Sequence, residues 1–384
     1  MKIRIKSNMT NEFCSTEIRF LDRQNGIKFL LEETGKHPVL LLSKNGISRW
    51  GLESLVQLLK EKGDAFIWIS DISENPTQKD IQTTLKTIDT TPVDTVIAIG
   101  GGSTIDIAKG ICAFYEPTKN NSYSLDELTF RIQTKSYPQN DSVKIIAVPT
   151  TSGTGSELTQ WATIWDYGGE GKHSLDSLKL KPELALIIPE LTLTMSPVLT
   201  LSTGLDALCH AVEAYWSKFT TPVVQEIAYR AIELIMENLG QVLTELDNIY
   251  LRENMSRASV LSALAFSQTR TTACHSISYP LTQFHNVPHG MAAAFSLSDV
   301  AKINKGSFPH SDELFELFER YGSIENWMNN VCSGVISLKL KSFGVQPDDL
   351  EKIADYAITK GRMDNNPVPI SKEDIRKILE RTYE

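Results

Sequence analysis

Short apolar runs alternate with amphipathic stretches through the first half of the chain. Val39-Leu40-Leu41-Leu42 is followed by a polar stretch and then by Leu52 to Leu59 at helical spacing. Ala65 to Ile69, Val93 to Ile99 and Ile145 to Val148 are further apolar runs. Runs this short, without polar alternation, suit strands covered on both faces. Their alternation with helices predicts a parallel, doubly wound α/β sheet. The opening residues Met1 to Lys6 alternate basic and apolar side chains and read as one more strand.

The pattern changes near Pro189. Apolar positions then recur at helical spacing: Leu205, Leu208, Val212 and Tyr215, then Ile227, Ala231 and Ile235, then Val260 to Phe266. This predicts an all-helical second domain. The last helix is expected to start at Ser371, with Asp374 three positions on as a capping box. The chain of 384 residues suits two domains, with boundaries read as 1–188 and 189–384.

Composition narrows the function classes. No apolar run reaches the ~20 residues of a membrane-spanning helix, and the N-terminus lacks a secretory apolar region. A formal charge of −9 without a basic tract argues against nucleic acid. Cys14, Cys112, Cys209, Cys274 and Cys332 are scattered, without C-x-x-C spacing. That argues against a disulfide framework and a thiolate zinc site, and a reducing cytoplasm is the expected compartment. Cys209 and Cys274 adjoin candidate ligands but read as packing residues.

Two loops carry candidate anion chemistry. Gly100-Gly101-Gly102-Ser103 joins a strand to a helix that includes Asp106. Glycines let the backbone approach a ligand, and free N–H groups at a helix start favour a pyrophosphate. Alone, the loop is equally a plain tight turn. Pro149-Thr150-Thr151-Ser152-Gly153-Thr154-Gly155-Ser156 follows the next strand, where open α/β sheets bind ligands.

Asp206 and His210 are spaced i, i+4, one face of a helix in apolar surroundings. Alone, they read as a structural pair. His275, His285 and His289 form a second cluster. One Asp with three His, all oxygen or nitrogen donors, suits Fe²⁺ or Zn²⁺ and leaves a position for substrate.

The stretches Gly100-Gly101-Gly102-Ser103 with Asp106 and Lys109, Pro149 to Glu157, Gly204 to Glu213, and His275 with Pro288-His289-Gly290 resemble the signatures of iron-containing (group III) alcohol dehydrogenases, in that family's order. Asn365-Asn366-Pro367 also fits. The resemblance implies an N-terminal dinucleotide-binding domain, a helical C-terminal domain and a cleft between them. It implies metal ligands at Asp206, His210, His275 and His289. It implies NADPH or NADH held by the Gly100–Ser103 loop, Thr150, Thr151 and Lys172. A small aldehyde or alcohol is the expected partner, and a homodimer or higher homo-oligomer the expected assembly.

The chain departs from the family pattern in several places. Tyr279 stands where many members carry a histidine often assigned to proton relay. Ser43-Lys44-Asn45 replaces the acidic residue expected after the second strand, so Ser43 and Lys44 are candidate contacts to a ribose 2′-phosphate. Thr269-Arg270-Thr271-Thr272 replaces small residues before the third ligand. Ile188 replaces an Asp and receives no functional account. The run from Thr269 to Thr282, with Trp161 to Asp166 and Lys172 to Leu175, is similar to phosphonoacetaldehyde reductases.

The expected chemistry is hydride transfer to an aldehyde polarised by a metal, with Tyr279, His285 or water delivering the proton. Arg270, Thr271 and Thr272 are expected to hold an anionic substrate tail, with Arg270 read on the same helix as His275. Two other readings stand: a general dehydrogenase for short uncharged alcohols, and a catalytically silent protein binding nucleotide and metal. Dehydroquinate synthase shares the implied architecture but would need more basic residues around the ligands.

Overall fold

The computed structural model describes residues 13–62, 66–117, 121–138, 142–166 and 171–384. The strand expected at Met1 to Lys6 lies outside them. The chain divides into two compact units, one of residues 1–151 and 156–194, the other of residues 152–155 and 195–384. The division falls six residues beyond the expected boundary at 188. The reason is that Ile188 and Leu191 pack into the core of the first unit.

Among the described residues of the first unit there are eight strands: β1 (Glu17–Phe20), β2 (Pro38–Leu41), β3 (Ile67–Ile69), β4 (Thr95–Gly100), β5 (Lys144–Pro149), β6 (Trp161–Asp166), β7 (Gly171–Asp176) and β8 (Leu184–Ile187). Six form one sheet in the order β1-β8-β5-β4-β2-β3, every pair parallel. β6 and β7 form a separate antiparallel hairpin.

The apolar runs fold as the pattern predicts because the sheet is buried on both faces. Val39, Leu41, Val96, Ala98, Ile145 and Ala147 enter one core. Their neighbours Leu40, Ile97, Ile99, Ile146 and Val148 enter the other. This is the two-residue period of a strand. The chain passes from β2 to β3 on one side and then returns to place β4 against the other edge of β2. The carboxyl ends of β2 and β4 therefore flank a topological switch point, where such sheets open a crevice for ligands.

The second unit is helical. Its main elements are Pro197–Trp216, Pro222–Thr244, Ile249–Thr269, Ala273–His285 and His289–Asn304. Ser196 and Thr221 cap the first two, each followed by a proline at the first helical position. Pro197–Trp216 is buried on nearly all sides, as expected of a helix apolar around its circumference. Ser371 and Asp374 make the predicted capping box. No helix among the described residues is long and apolar enough to cross a membrane.

Candidate metal centre and nucleotide loops

The buried helix Pro197–Trp216 presents Asp206 and His210 one turn apart, and His275 comes from the first turn of Ala273–His285. One donor atom from each of these three lies within 4.8 Å of the others. His275 Nε2 is 3.3 Å from Asp206 Oδ1, and His210 Nε2 is 3.9 Å from the same oxygen. The His210 ring stacks between Phe266 and His275, with centroids 4.0 and 4.3 Å away. His289 opens the helix His289–Asn304, its ring 5.4 Å from that of His275.

Gly290 explains how His289 comes so near. A Cβ on Gly290 would lie 1.9 Å from the Ser202 carbonyl oxygen and 2.8 Å from Asp206 Cβ. Only glycine lets the start of this helix press against the turn that carries Asp206.

Behind the ligands sits Glu213, fully buried. Its Oε2 pairs with His275 Nδ1. Its Oε1 accepts from the N–H groups of Thr272 (3.0 Å), Cys274 (2.8 Å) and His275 (3.3 Å), and from the Thr272 hydroxyl (2.8 Å). The carboxylate thereby caps the start of the helix and turns the His275 ring so that Nε2 faces Asp206. Such carboxylate–histidine pairs fix ligand orientation at metal sites.

Electrostatics match this geometry. Burial alone would raise the Asp206 carboxyl, but His210, His275 and His289 hold it well below the usual carboxylate range. Burial drives His210 down to about 4. Burial also opposes protonation of His275, yet Glu213 and Asp206 together lift it to about 10. Asp206 Oδ1 and His275 Nε2 are buried without a hydrogen bond of sound geometry. Buried polar atoms are rarely left so. A divalent cation would satisfy both atoms, and its charge would be balanced by Asp206 and Glu213. The donor set fits such an ion.

Tyr279, one turn after His275, stacks on His289 with centroids 6.0 Å apart and rings 3° from parallel. Its hydroxyl accepts from Arg362 Nε at 3.3 Å. His285 does not join the cluster. It ends its helix about 15 Å from His275 along the axis, and its Nε2 faces Asp349 at 3.8 Å.

The residues before His275 correct the helical expectation. The helix Ile249–Thr269 stops, and Arg270 takes φ 61° and ψ 179° before a new helix starts at Ala273. Arg270 therefore lies in the break between two helices and not on the helix of His275. That backbone region is close to glycine-only, which accounts for the small residues expected there. Thr272 is fully buried and engaged by Glu213 and by Trp216 Nε1 at 2.9 Å, so its hydroxyl is not open to a substrate. Thr271 is buried, and its carbonyl accepts from Asn365 Nδ2 at 3.1 Å.

In the first unit, Gly101 caps the helix Gly102–Phe114 without a side-chain hydrogen bond, and no acidic residue sits in its first turn. A Cβ on Gly100 would strike Thr104 Oγ1 at 2.1 Å, so Gly100 serves close packing of helix and strand. A Cβ on Gly101 would meet nothing closer than Thr151 Oγ1 at 3.6 Å. The protein itself thus leaves room above Gly101 for an approaching group. Thr150 N–H donates to the Gly100 carbonyl at 2.9 Å, which holds the two loops side by side.

Several expected nucleotide contacts have structural partners. Asp106 accepts from the Ser156 hydroxyl (2.7 Å) and Thr163 N–H (2.9 Å). Lys109, fully buried and lowered to about 8 by burial, donates to Ser156, Thr159 and Trp161. Ser103 Oγ accepts from Asn75 N–H at 3.2 Å. Ser43 caps its helix by accepting from Gly46 N–H at 3.2 Å, and Lys44 is exposed beside it. The side chain of Lys172 lies outside the described residues.

Sequence reasoning missed two residues. Glu213 follows Asp206 by two helical turns and shares its face, a signal that was present. Arg362 lies on a distant segment, and nothing local pointed to it.

Residues 18–189 match the iron-containing alcohol dehydrogenase family, and residues 200–383 match the C-terminal part of the Fe-containing alcohol dehydrogenase family. The chain belongs to this family of oxidoreductases. It is 31% identical to the NADPH-dependent butanol dehydrogenase of Clostridium saccharobutylicum, over 91% of this chain and 92% of that protein. It is 28% identical to the 1,3-propanediol dehydrogenase of Citrobacter freundii, over 91% and 92%. Its fold is similar to that of the sulfoacetaldehyde reductase of Bifidobacterium kashiwanohense, solved with NAD⁺. That match has a TM-score of 0.83 and 27% identity, and it covers 96% of this chain and 97% of that one.

Proposed function

We propose that this protein is a metal-dependent, NAD(P)H-linked aldehyde reductase whose substrate is a two-carbon aldehyde bearing a tetrahedral anion, phosphonoacetaldehyde, reduced to 2-hydroxyethylphosphonate. The observation that carries the catalytic reading is the buried Asp206–His210–His275 cluster with His289 beside it and Glu213 behind it. A metal bound there supplies Lewis acidity to the aldehyde oxygen. Asp206, His210, His275 and His289 would hold it, with Fe²⁺ favoured and Zn²⁺ second.

The overall reaction balances as aldehyde, reduced nicotinamide cofactor and one proton giving alcohol and oxidised cofactor. Tyr279, stacked on His289, is placed to orient the substrate oxygen and pass that proton. The Gly101–Ser103 helix start and the neighbouring Thr150–Thr151 loop would receive the pyrophosphate. Lys44 supports acceptance of NADPH.

The anionic tail is supported by Arg270 beside the ligand helix and by the likeness to an enzyme described as a sulfoacetaldehyde reductase. The butanol and 1,3-propanediol dehydrogenases favour a second reading, an enzyme for short uncharged alcohols. An aldehyde panel decides between them. Purified protein with Fe²⁺ and NADPH or NADH is given phosphonoacetaldehyde, sulfoacetaldehyde, propanal and butanal. A higher kcat/KM for the anionic aldehydes supports the first reading, and higher values for the neutral ones support the second. His275→Ala should lose most of the metal and the activity. Full activity after chelator stripping would overturn the metal-dependent reading.

A further inference from the structure

Arg362 is a cation beside the candidate metal centre, and among the described residues no carboxylate pairs with it. It sits on the segment between the helix Asp349–Tyr356 and the turn Met363–Asn365, half-buried. Its Nε donates to the Tyr279 hydroxyl at 3.3 Å, and its Nη1 donates to the Gly361 carbonyl at 2.9 Å. Tyr279 in turn stacks on the ligand His289. A guanidinium has five N–H donors, so several remain for a ligand.

The segment that carries Arg362 is fastened to the break before His275. Asn365 Nδ2 donates to the carbonyls of Thr271 (3.1 Å) and Gly361 (3.0 Å). The Thr359 N–H donates to the Ser276 hydroxyl at 3.0 Å. A Cβ on Gly361 would lie 3.9 Å from Arg270 Nη1. The fold therefore gathers two arginines, Arg270 and Arg362, beside one ligand helix, in a chain of net charge −9. Arg270 also holds a backbone conformation that glycine normally fills, the sort of strain that gathers at ligand clamps.

We infer that Arg362 is a specificity-determining residue that binds the tetrahedral anion of the substrate, while its Nε holds the Tyr279 hydroxyl toward the reacting carbonyl. The planar guanidinium suits this task, since its parallel N–H groups match two oxygens of a phosphonate or sulfonate. This inference rests on the reading of the site as an aldehyde reductase with an anionic substrate.

The test uses the full chain loaded with Fe²⁺. Wild type, Arg362→Ala, Arg362→Met and Arg362→Lys are assayed with phosphonoacetaldehyde, sulfoacetaldehyde and propanal. Binding of 2-hydroxyethylphosphonate is measured separately by calorimetry, and thermal unfolding confirms that each variant folds. The ratio of kcat/KM for phosphonoacetaldehyde over propanal should fall at least tenfold in the Ala and Met variants, and Lys should restore part of it. Binding of 2-hydroxyethylphosphonate should weaken in parallel. If wild type prefers the anionic aldehydes and the Ala and Met variants keep that ratio and that binding, Arg362 does not read the anion. If wild type itself shows no preference for the anionic aldehydes, the substrate reading fails and this inference falls with it.

Discussion

Glu213 and His275 form a closed pair in which the two ring nitrogens of one imidazole face two carboxylates, Glu213 at Nδ1 and Asp206 at Nε2. The pair is fully buried on the Glu213 side, and the same carboxylate holds the backbone N–H groups that start the ligand helix. Ligand orientation and helix start are thus one interaction. Replacing Glu213 by Gln keeps the size but removes the charge that fixes the tautomer. Metal affinity of Glu213→Gln, read by competition with a chelator of known affinity, should fall on the order of 10–100-fold. An unchanged affinity would show that Glu213 only caps the helix.

The metal-free protein should carry a proton on His275 well above neutrality. The folded site lifts this imidazole to about 10, against about 6.5 in an unfolded chain. Its contribution to stability is whole below about pH 6.5 and is lost as pH rises through about 10. At pH 8, Fe²⁺ or Zn²⁺ must displace that proton to reach Nε2. Calorimetry in buffers of different ionisation enthalpy should show release of about one proton per ion bound. No release at pH 8 would mean that His275 is already neutral in the metal-free site.

Cofactor preference should depend on Lys44. The residue stands exposed at the carboxyl end of β2, where a carboxylate typically accepts the ribose hydroxyl and repels a 2′-phosphate. NADPH should be accepted and preferred over NADH. Lys44→Asp should shift the ratio of kcat/KM toward NADH. If that ratio does not move, Lys44 is a surface lysine without a role in selection.

Arg270 combines strain with charge, and two substitutions separate them. Arg270→Gly removes the φ penalty, so its melting temperature should rise or hold despite the lost side chain. Arg270→Ala keeps the penalty. Both should lower the preference for phosphonoacetaldehyde over a neutral aldehyde of similar size, by about 2–3 kcal/mol of transition-state binding if the contact is charge-assisted. Equal losses on both aldehydes would make Arg270 a structural residue.

Much of this architecture was legible in the sequence because it depends on local pattern. The continuous apolar runs at Val39 and Val96 specify strands buried on both sides, and Asp206 with His210 announces a shared helical face. What escaped has a common cause. The four-residue strands β1 and β8 are too short to show a period. The hairpin of β6 and β7 mixes aromatic and polar positions. The break at Arg270 has no glycine or proline to mark it, since an arginine occupies a conformation that glycine normally fills. Hydrogen bonds across the fold explain the rest. The occupation of Thr272 by Glu213, of Asp106 by Ser156, and of Tyr279 by Arg362 joins residues that no spacing rule connects.

The contact of Gly290 with the Ser202 carbonyl would also govern when an ion could enter the candidate site. Asp206 and His210 come together as soon as their own helix forms, but His275 and His289 arrive only when separate helices have docked, and the docking of the last depends on that bare backbone contact. A nascent or unfolded chain therefore offers an ion two ligands at most in one place. Capture of a metal at this site would follow folding rather than guide it, and the stabilisation from binding, which grows as the logarithm of free ion over its dissociation constant, would accrue to the helical unit. Heating the protein with and without Fe²⁺ should move the unfolding of that unit and leave the α/β unit where it was.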